Sequence, residues 1–181
     1  TKLVAIAVRG KSGMQLEPFE RWSAETYYRD YYSERVEPDE QAAMRFQIEF
    51  LQQSGRRFDR AIEYGCGPTL MRALSAAHHV GQLDMADWHA GNLERIRRWH
   101  CCAPDADDWS SFARYALRVN GNPGPVEDLE ARTRSILGQL LLTDARQTNP
   151  LGVQRRGSYD LLISGFCVDC FTGSQTEWRQ S

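Results

Sequence analysis

The chain has no long hydrophobic run and no excess of one charge. Its longest apolar runs, residues 3–8 and 140–142, are far too short to cross a bilayer, and the short run after Lys2 does not resemble a secretory signal. A net charge of −2 gives no reason to expect binding to nucleic acid or to an anionic membrane. We therefore expect a cytoplasmic protein of 181 residues with one main core.

The sequence also lacks a regular cysteine pattern. Its five cysteines are odd in number and irregularly spaced, which indicates reduced thiols rather than a disulfide framework. Cys167-x-x-Cys170 has the spacing of a metal or redox motif, but zinc needs about four ligands. The other close pair, Cys101 and Cys102, is adjacent in sequence and suits chelation poorly. We predict no metal site, and no Ser–His–Asp grouping follows from the spacing.

Hydrophobic periodicity predicts strands that alternate with helices. Residues 1–18 have no helical periodicity and could form an arm or a short strand. The predicted helices cover residues 19–35, 37–55, 69–78, 90–99, 109–118 and 125–137, and the predicted buried strands cover residues 58–64, 80–86, 139–145 and 159–166. This alternation predicts an α/β fold with a doubly wound parallel sheet. In this division, residues 1–56 form an N-terminal arm and helical cap, and residues 57–181 form the N-terminal part of the ligand-binding α/β domain.

The most informative segment is the break between a strand and a helix at residues 61–69, which contains Gly65 and Gly67. Glycine lets a ligand lie directly against the backbone, and the following helix offers unpaired N–H groups to an anion. The third glycine of a dinucleotide fingerprint is absent, which disfavours a dinucleotide. Glu63, just before the turn, suits the ammonium group of S-adenosylmethionine. A tight turn without any ligand is the alternative.

Polar residues end the other predicted strands at the same edge of the sheet, where α/β folds bind ligands. Asp87 can accept hydrogen bonds from a ribose diol, and Asn92 lies about one helical turn further on. Asp144, or the N–H of Ala145, can meet an adenine edge, and residues 164–166 would floor the pocket. Each acid alone could equally be a solvated strand end or a helix cap. Together they favour a nucleoside-type ligand.

Four tyrosines lie on one predicted helix, at positions 27, 28, 31 and 32. Helical spacing pairs Tyr27 with Tyr31 and Tyr28 with Tyr32, so they form two adjacent stripes. Core packing explains such stripes. A lid over the cofactor also explains them, because aromatic faces attract a cationic sulfonium.

These residues resemble those of the nicotinamide, phenylethanolamine and indolethylamine N-methyltransferases, a small-molecule branch of the class I S-adenosylmethionine-dependent fold. The resemblance runs from about Tyr27 to the chain end and depends on the order and spacing of six segments. These are residues 27–32 (YYRDYY), 65–69 (GCGPT), Asp87 with 92–93 (NL), 108–110 (DWS), 144–152 (which end in NPLG) and 164–169.

The resemblance implies transfer of a methyl group from S-adenosylmethionine to the nitrogen of a small amine or N-heterocycle, with S-adenosylhomocysteine as product. It implies that Tyr27 and Tyr32 close over the cofactor, with Tyr27 as the catalytic residue near the methyl donor. The other cofactor-binding positions that it implies are Glu63, Gly65, Gly67, Thr69, Asp87, Trp88, Asn92, Asp144, Ala145 and Gly165. The chain departs from the family at Gly165, which replaces a small hydroxyl residue, and at Glu63, which replaces an aspartate.

Members of this family continue well beyond the length of this chain, through a fifth strand and an antiparallel end pair. We therefore expect the strand at residues 159–166 to present an open apolar edge, which a missing segment or a second chain would complete. A non-catalytic module that binds the cofactor or supports a partner is one alternative function. A dinucleotide-dependent oxidoreductase is another, although the missing glycine disfavours it.

Overall fold

Strands and helices alternate along the computed structural model, which describes residues 5–8, 23–165 and 167. The strands are β1 (Ala5–Val8), β2 (Phe58–Tyr64), β3 (Val80–Asp87), β4 (Leu137–Leu142) and β5 (Leu161–Gly165). The helices are α1 (Ala24–Tyr31), α2 (Pro38–Gln53), α3 (Met71–Ala76), α4 (Ala90–His100), α5 (Ser110–Asn120) and α6 (Val126–Ile136), and a short 3₁₀ turn covers Val153–Arg155. The structure therefore has the predicted α/β fold.

The five described strands form one sheet in the order β1-β5-β2-β3-β4, and all paired neighbours run parallel. From β2 the chain adds β3 and then β4 on one side, and then returns to place β5 on the other side of β2. This reversal creates a switch point between β2 and β5, where parallel α/β sheets have a crevice at the carboxyl ends of the strands.

The start and end of α2 and β2 follow directly from the sequence. Pro38 lies in the first turn of α2 together with acidic residues, and Gly55 after the last turn adopts a φ of +60°. Phe58, at the start of β2, is 1% exposed. Helices α2, α3 and α5 contact one another, and the core lies between them and the sheet.

The helix predicted over residues 19–35 ends earlier than expected, at Tyr31. Tyr32 leaves the helical conformation, with a φ of −129°, and is only 4% exposed. Its ring packs against Trp109 and Phe112, with centroid distances of 5.7 and 5.9 Å. Packing against α5 therefore outweighs the helical tendency of the residues that follow, and it fixes α1 to the main domain. Residues 19–22 lie outside the described part of the chain.

Among the described strands, the one predicted as buried over residues 139–145 lies at the edge of the sheet, and it covers Leu137–Leu142 instead. It pairs with β3 on one side, and the side chain of Leu142 is 65% exposed. Its run of leucines is typical of a strand covered on both faces, so the prediction of a buried strand was wrong.

The open edge predicted for the strand at residues 159–166 is also wrong, because β5 has partners on both sides. Ala5–Val8 pairs with Leu162–Gly165, and β2 pairs with the other side of β5. The N-terminal segment therefore contributes a strand to the sheet. Among the described residues, none of the helices has both the length and the hydropathy needed to span a membrane.

Candidate functional site

The sharp turn after β2 forms the centre of the candidate site. Gly65 and Gly67 have φ values of +70° and +59°, a conformation that favours glycine. A Cβ on Gly65 would also overlap the side chain of Cys167. The Thr69 hydroxyl donates to the carbonyl oxygen of Cys66 at 2.9 Å, so Thr69 stabilises the turn itself. Because α3 begins only at Met71 and has six residues, the predicted helix after the turn is much reduced.

Asp87, at the end of β3, holds this turn in place. Its carboxylate accepts hydrogen bonds from the amides of Gly67 and His89, each at 2.8 Å, and from Nδ2 of Asn92 at 2.9 Å. The bonds join the turn after β2 to the start of α4, and they explain why Asn92 is buried. The structure thus brings together three of the sequence-predicted residues, Gly67, Asp87 and Asn92.

The loop after β4 lies beside the end of β3, because the amide of Thr143 donates to the carbonyl oxygen of Asp87 at 2.9 Å. Asp144 accepts hydrogen bonds from the amide of Arg146 at 3.0 Å and from its Nε at 2.8 Å, and these bonds lower the pKa of Asp144. The Arg146 guanidinium lies 5.7 Å from the centre of the Trp88 ring. Trp88, Asp144 and the half-buried Ala145 therefore belong to the rim of the site.

A pair of buried charges lies at the foot of the glycine turn. Glu63 is completely buried, and neither of its carboxylate oxygens has a hydrogen-bond partner among the described residues. Nη1 of Arg72 lies 3.7 Å from Oε1 of Glu63, which is an ion pair but too long for a hydrogen bond. Burial raises the pKa of Glu63 to about 8; the charge of Arg72 opposes this shift, and the charge of Asp87 adds to it.

Gly165, at the end of β5, lies directly under the guanidinium of Arg72. A Cβ on this glycine would overlap the Nη2, Cζ and Nε atoms of Arg72. The backbone of Arg72 is fixed as well, because its carbonyl oxygen accepts a hydrogen bond from Nε2 of Gln47 at 2.8 Å. The side chain of Arg72 therefore occupies the space that a side chain at position 165 would take.

Of the four tyrosines in the predicted lid, some are buried in the core and some are exposed at the surface. Tyr28 and Tyr32 are buried, whereas Tyr31 is 50% exposed. The hydroxyl groups of Tyr27 and Tyr32 are 3.5 Å apart, and the Tyr32 hydroxyl donates to Oε1 of Glu40 at 3.2 Å. Burial raises the pKa of Glu40, and the charge of Arg72 opposes this shift. The two tyrosines named as cofactor-binding thus adjoin each other and a carboxylate.

Sequence reasoning missed Glu40 and Arg72 as members of the site. Glu40 has the position of an ordinary acidic residue in the first turn of a helix, so its sequence context gives no signal. Arg72 lies among apolar residues in the segment predicted as a helix after the glycines. A lone arginine in such an apolar segment is the signal that could have found it.

No group of three or more His, Cys, Asp or Glu side chains in the described ranges is arranged to hold a metal ion. Cys101 and Cys102 are exposed at the end of α4. Cys170 lies outside the described residues, so the structure says nothing about a pairing with Cys167. The candidate site is therefore built from glycines, carboxylates, tyrosines and one arginine.

Comparison with known proteins identifies the relatives of this chain. Indolethylamine N-methyltransferase of Mus musculus is 28% identical over 169 residues, which cover 90% of this chain and 64% of the relative. Nicotinamide N-methyltransferase of Homo sapiens is 30% identical over 115 residues, which cover 64% of this chain and 44% of the relative. Phenylethanolamine N-methyltransferase of Homo sapiens is 31% identical over 122 residues, which cover 66% of this chain and 43% of the relative.

The alignments with these relatives therefore cover between 43% and 64% of their lengths. A family model described as the NNMT/PNMT/TEMT family matches residues 13–181, which is nearly the whole chain. The chain belongs to the NNMT/PNMT/TEMT family.

Proposed function

We propose that this chain binds S-adenosylmethionine over the glycine turn and takes part in transfer of its methyl group to the nitrogen of a small molecule. The observation that carries the proposal is the buried carboxylate of Glu63, whose two oxygens have no hydrogen-bond partner among the described residues. Such a group is costly unless a partner satisfies it. The ammonium group of the cofactor supplies both a positive charge and hydrogen-bond donors.

The remaining residues of the site fit the rest of this cofactor. The carboxylate of Asp87 has about four acceptor positions, and three are used by N–H groups of the protein, which leaves one for a ribose hydroxyl. Gly67 leaves the backbone open to close approach, whereas the side chain of Cys167 lies against Gly65. In this proposal Trp88, Asp144 and Ala145 would hold the adenine at the rim, and Tyr27 and Tyr32 would cover the sulfur end.

When bound, S-adenosylmethionine supplies a methyl group on a positively charged sulfur. The contribution of the protein is to hold an uncharged nitrogen lone pair in line with that methyl group and to keep water out. Tyr27 would shape the donor end by packing and hydrogen bonding, and its ring would favour the sulfonium charge. A pyridine-type nitrogen needs no base, whereas an alkylamine must first lose its proton to a base or to solvent.

Binding of S-adenosylhomocysteine, measured by calorimetry, tests the proposal. We expect the wild-type chain to bind it and Asp87→Ala to reduce the affinity at least about tenfold, because a hydrogen bond to a charged group is lost and the turn loosens. Asp59→Ala is the matched control, since Asp59 is an exposed residue at the opposite end of the same strands and should leave binding unchanged. Equal affinity of Asp87→Ala and the wild type would contradict the proposal.

A cofactor-binding module without transferase activity is the second candidate, because the alignments cover only 43–64% of the compared relatives. A panel of pyridines and alkylamines separates the two functions. Binding of S-adenosylmethionine without methylation of any amine in the panel would favour the module, whereas formation of an N-methylated product would favour the enzyme. NADH should not compete with S-adenosylhomocysteine in either case.

A further inference from the structure

We propose that Arg72 is the receptor for the carboxylate of the cofactor's amino-acid end, and that Gly165 is required to hold its guanidinium there. The inference rests on the proposed function and adds two specificity-determining residues to it. Arg72 and Glu63 would then form a matched pair of charges for a ligand that carries one ammonium and one carboxylate.

The guanidinium of Arg72, a residue of α3, lies at the carboxyl ends of β2 and β5. Glu63 on β2 is paired with Ile163 on β5, and Gly165 follows two residues later at the carboxyl end of β5. The Arg72 guanidinium fills the space where a Cβ on Gly165 would lie, and it also lies beside Glu63. It therefore extends over the carboxyl ends of both β2 and β5. This is the switch point of the sheet, where ligands of parallel α/β folds bind.

The burial of the two charges is the second argument. The side chains of Arg72 and Glu63 are 8% and 1% exposed, and their closest approach is 3.7 Å. The negative charges of Glu40 and Asp87 act on the same cluster. A buried ion pair at this separation gains little stability against the cost of removing both charges from water. A zwitterionic ligand would give the guanidinium a carboxylate and Glu63 an ammonium, and the ammonium would favour the ionised form of Glu63 over the protonated form that burial favours.

The glycine at position 165 is the third argument, and it is independent of charge. The family resemblance implies a small hydroxyl residue here, which would contact the cofactor itself. In this chain the side chain is absent, and the guanidinium of Arg72 fills the space. Because the guanidinium is the end of a flexible side chain, a Cβ at position 165 would push it away from the crevice.

Two ligands that differ only at the amino-acid end test this role. S-adenosylhomocysteine has the carboxylate and the ammonium, whereas methylthioadenosine has the same nucleoside and sulfur without them. We expect Arg72→Gln to reduce the affinity for S-adenosylhomocysteine by about tenfold or more and to leave the affinity for methylthioadenosine unchanged. Arg114→Gln, on the exposed face of α5, is the control and should change neither affinity.

Gly165→Ala provides the second variant, because it keeps both charges, adds no polar group and displaces the guanidinium. We expect the same selective loss of S-adenosylhomocysteine affinity. If Arg72→Gln does not fold, since it leaves a buried carboxylate without its cation, Gly165→Ala alone decides the question. An unchanged ratio of the two affinities in Gly165→Ala would overturn the inference. Failure of the wild type to bind either ligand would instead contradict the proposed function.

Discussion

At the scale of single residues, Glu63 is a carboxylate whose protonation should depend on folding. It is fully enclosed by protein atoms, and burial raises its pKa to about 8 despite the nearby charge of Arg72. The unfolded chain exposes the same group to water, where its pKa returns to an ordinary value near 4.5. Between these two values the folded protein holds a proton that the unfolded chain releases.

We therefore predict that the free energy of unfolding falls as the pH rises from about 4.5 to about 8, because of the raised pKa of Glu63. The sign follows because the folded state binds more protons in this interval, so raising the pH favours unfolding. Glu40 and Asp107, whose pKa values burial also raises, act in the same direction. Urea denaturation at several pH values should show a flatter pH dependence for Glu63→Gln than for the wild type.

Glu49→Gln is the control for this measurement, because it removes an exposed carboxylate of α2. It should follow the wild-type pH dependence. If Glu63→Gln and the wild type lose stability in parallel between pH 5 and pH 8, then Glu63 does not carry the raised pKa in solution.

At the scale of secondary-structure elements, the end of α2 depends on the conformation of one glycine. Gly55 has a φ of +60°, and no atom lies within 4 Å of the position that a Cβ would take. We predict that Gly55→Ala destabilises the protein by about 1 kcal/mol, because an L-residue is strained in this conformation. The measurement is the free energy of unfolding in urea.

Gly124 provides a matched control for Gly55. A Cβ at this position would also meet no atom within 4 Å, but the backbone of Gly124 is not in the left-handed region. Gly124→Ala should therefore be neutral or slightly stabilising, because it restricts only the unfolded chain. Equal effects of the two substitutions would mean that backbone strain does not limit the end of α2.

The elements that sequence reasoning located well have strong local boundaries. Strand β2 covers residues 58–64 as predicted, because a charged and glycine-containing segment precedes it and Gly65 ends it. The end of α1 depends on contacts of Tyr32 with residues about eighty positions away, and the strand β1 depends on pairing with β5. Local patterns carry no information about such distant partners.

The same distinction applies to the candidate site. Asp87, Asn92 and the two glycines follow from strand ends and turn chemistry, and the structure brings them together. The guanidinium of Arg72, on α3, fills the space that a side chain at position 165, on β5, would take. A single sequence does not reveal this dependence between two residues that lie far apart along the chain.

At the scale of the whole molecule, an aromatic cluster joins α1 and Tyr32 to the start of α5. Trp109 is 1% exposed, and its ring centre lies 5.4 Å from Tyr28, 5.7 Å from Tyr32 and 5.0 Å from Phe112. The Tyr28 hydroxyl also donates to the carbonyl oxygen of Asp108 at 2.9 Å. The position of α1 and its tyrosines therefore depends on Trp109.

We predict that Trp109→Ala destabilises the whole protein by about 3–5 kcal/mol, because it removes the centre of this cluster and leaves a cavity. Phe46→Ala, which removes an aromatic side chain that is 52% exposed, should change stability by about 0.5 kcal/mol or less. Thermal and urea unfolding followed by circular dichroism give both values. Similar losses for the two variants would show that the cluster has no special role.

The pairing of Ala5–Val8 with Leu162–Gly165 has a consequence for how the sheet assembles. The two strands are separated by more than 150 positions, so their contact closes a very long loop. During synthesis, residue 165 must leave the ribosome before β5 can pair with β1, so β1 stays unpaired until then. Contacts between residues so far apart in the sequence form slowly, so we expect the pairing of β1 with β5 to be a late step in folding.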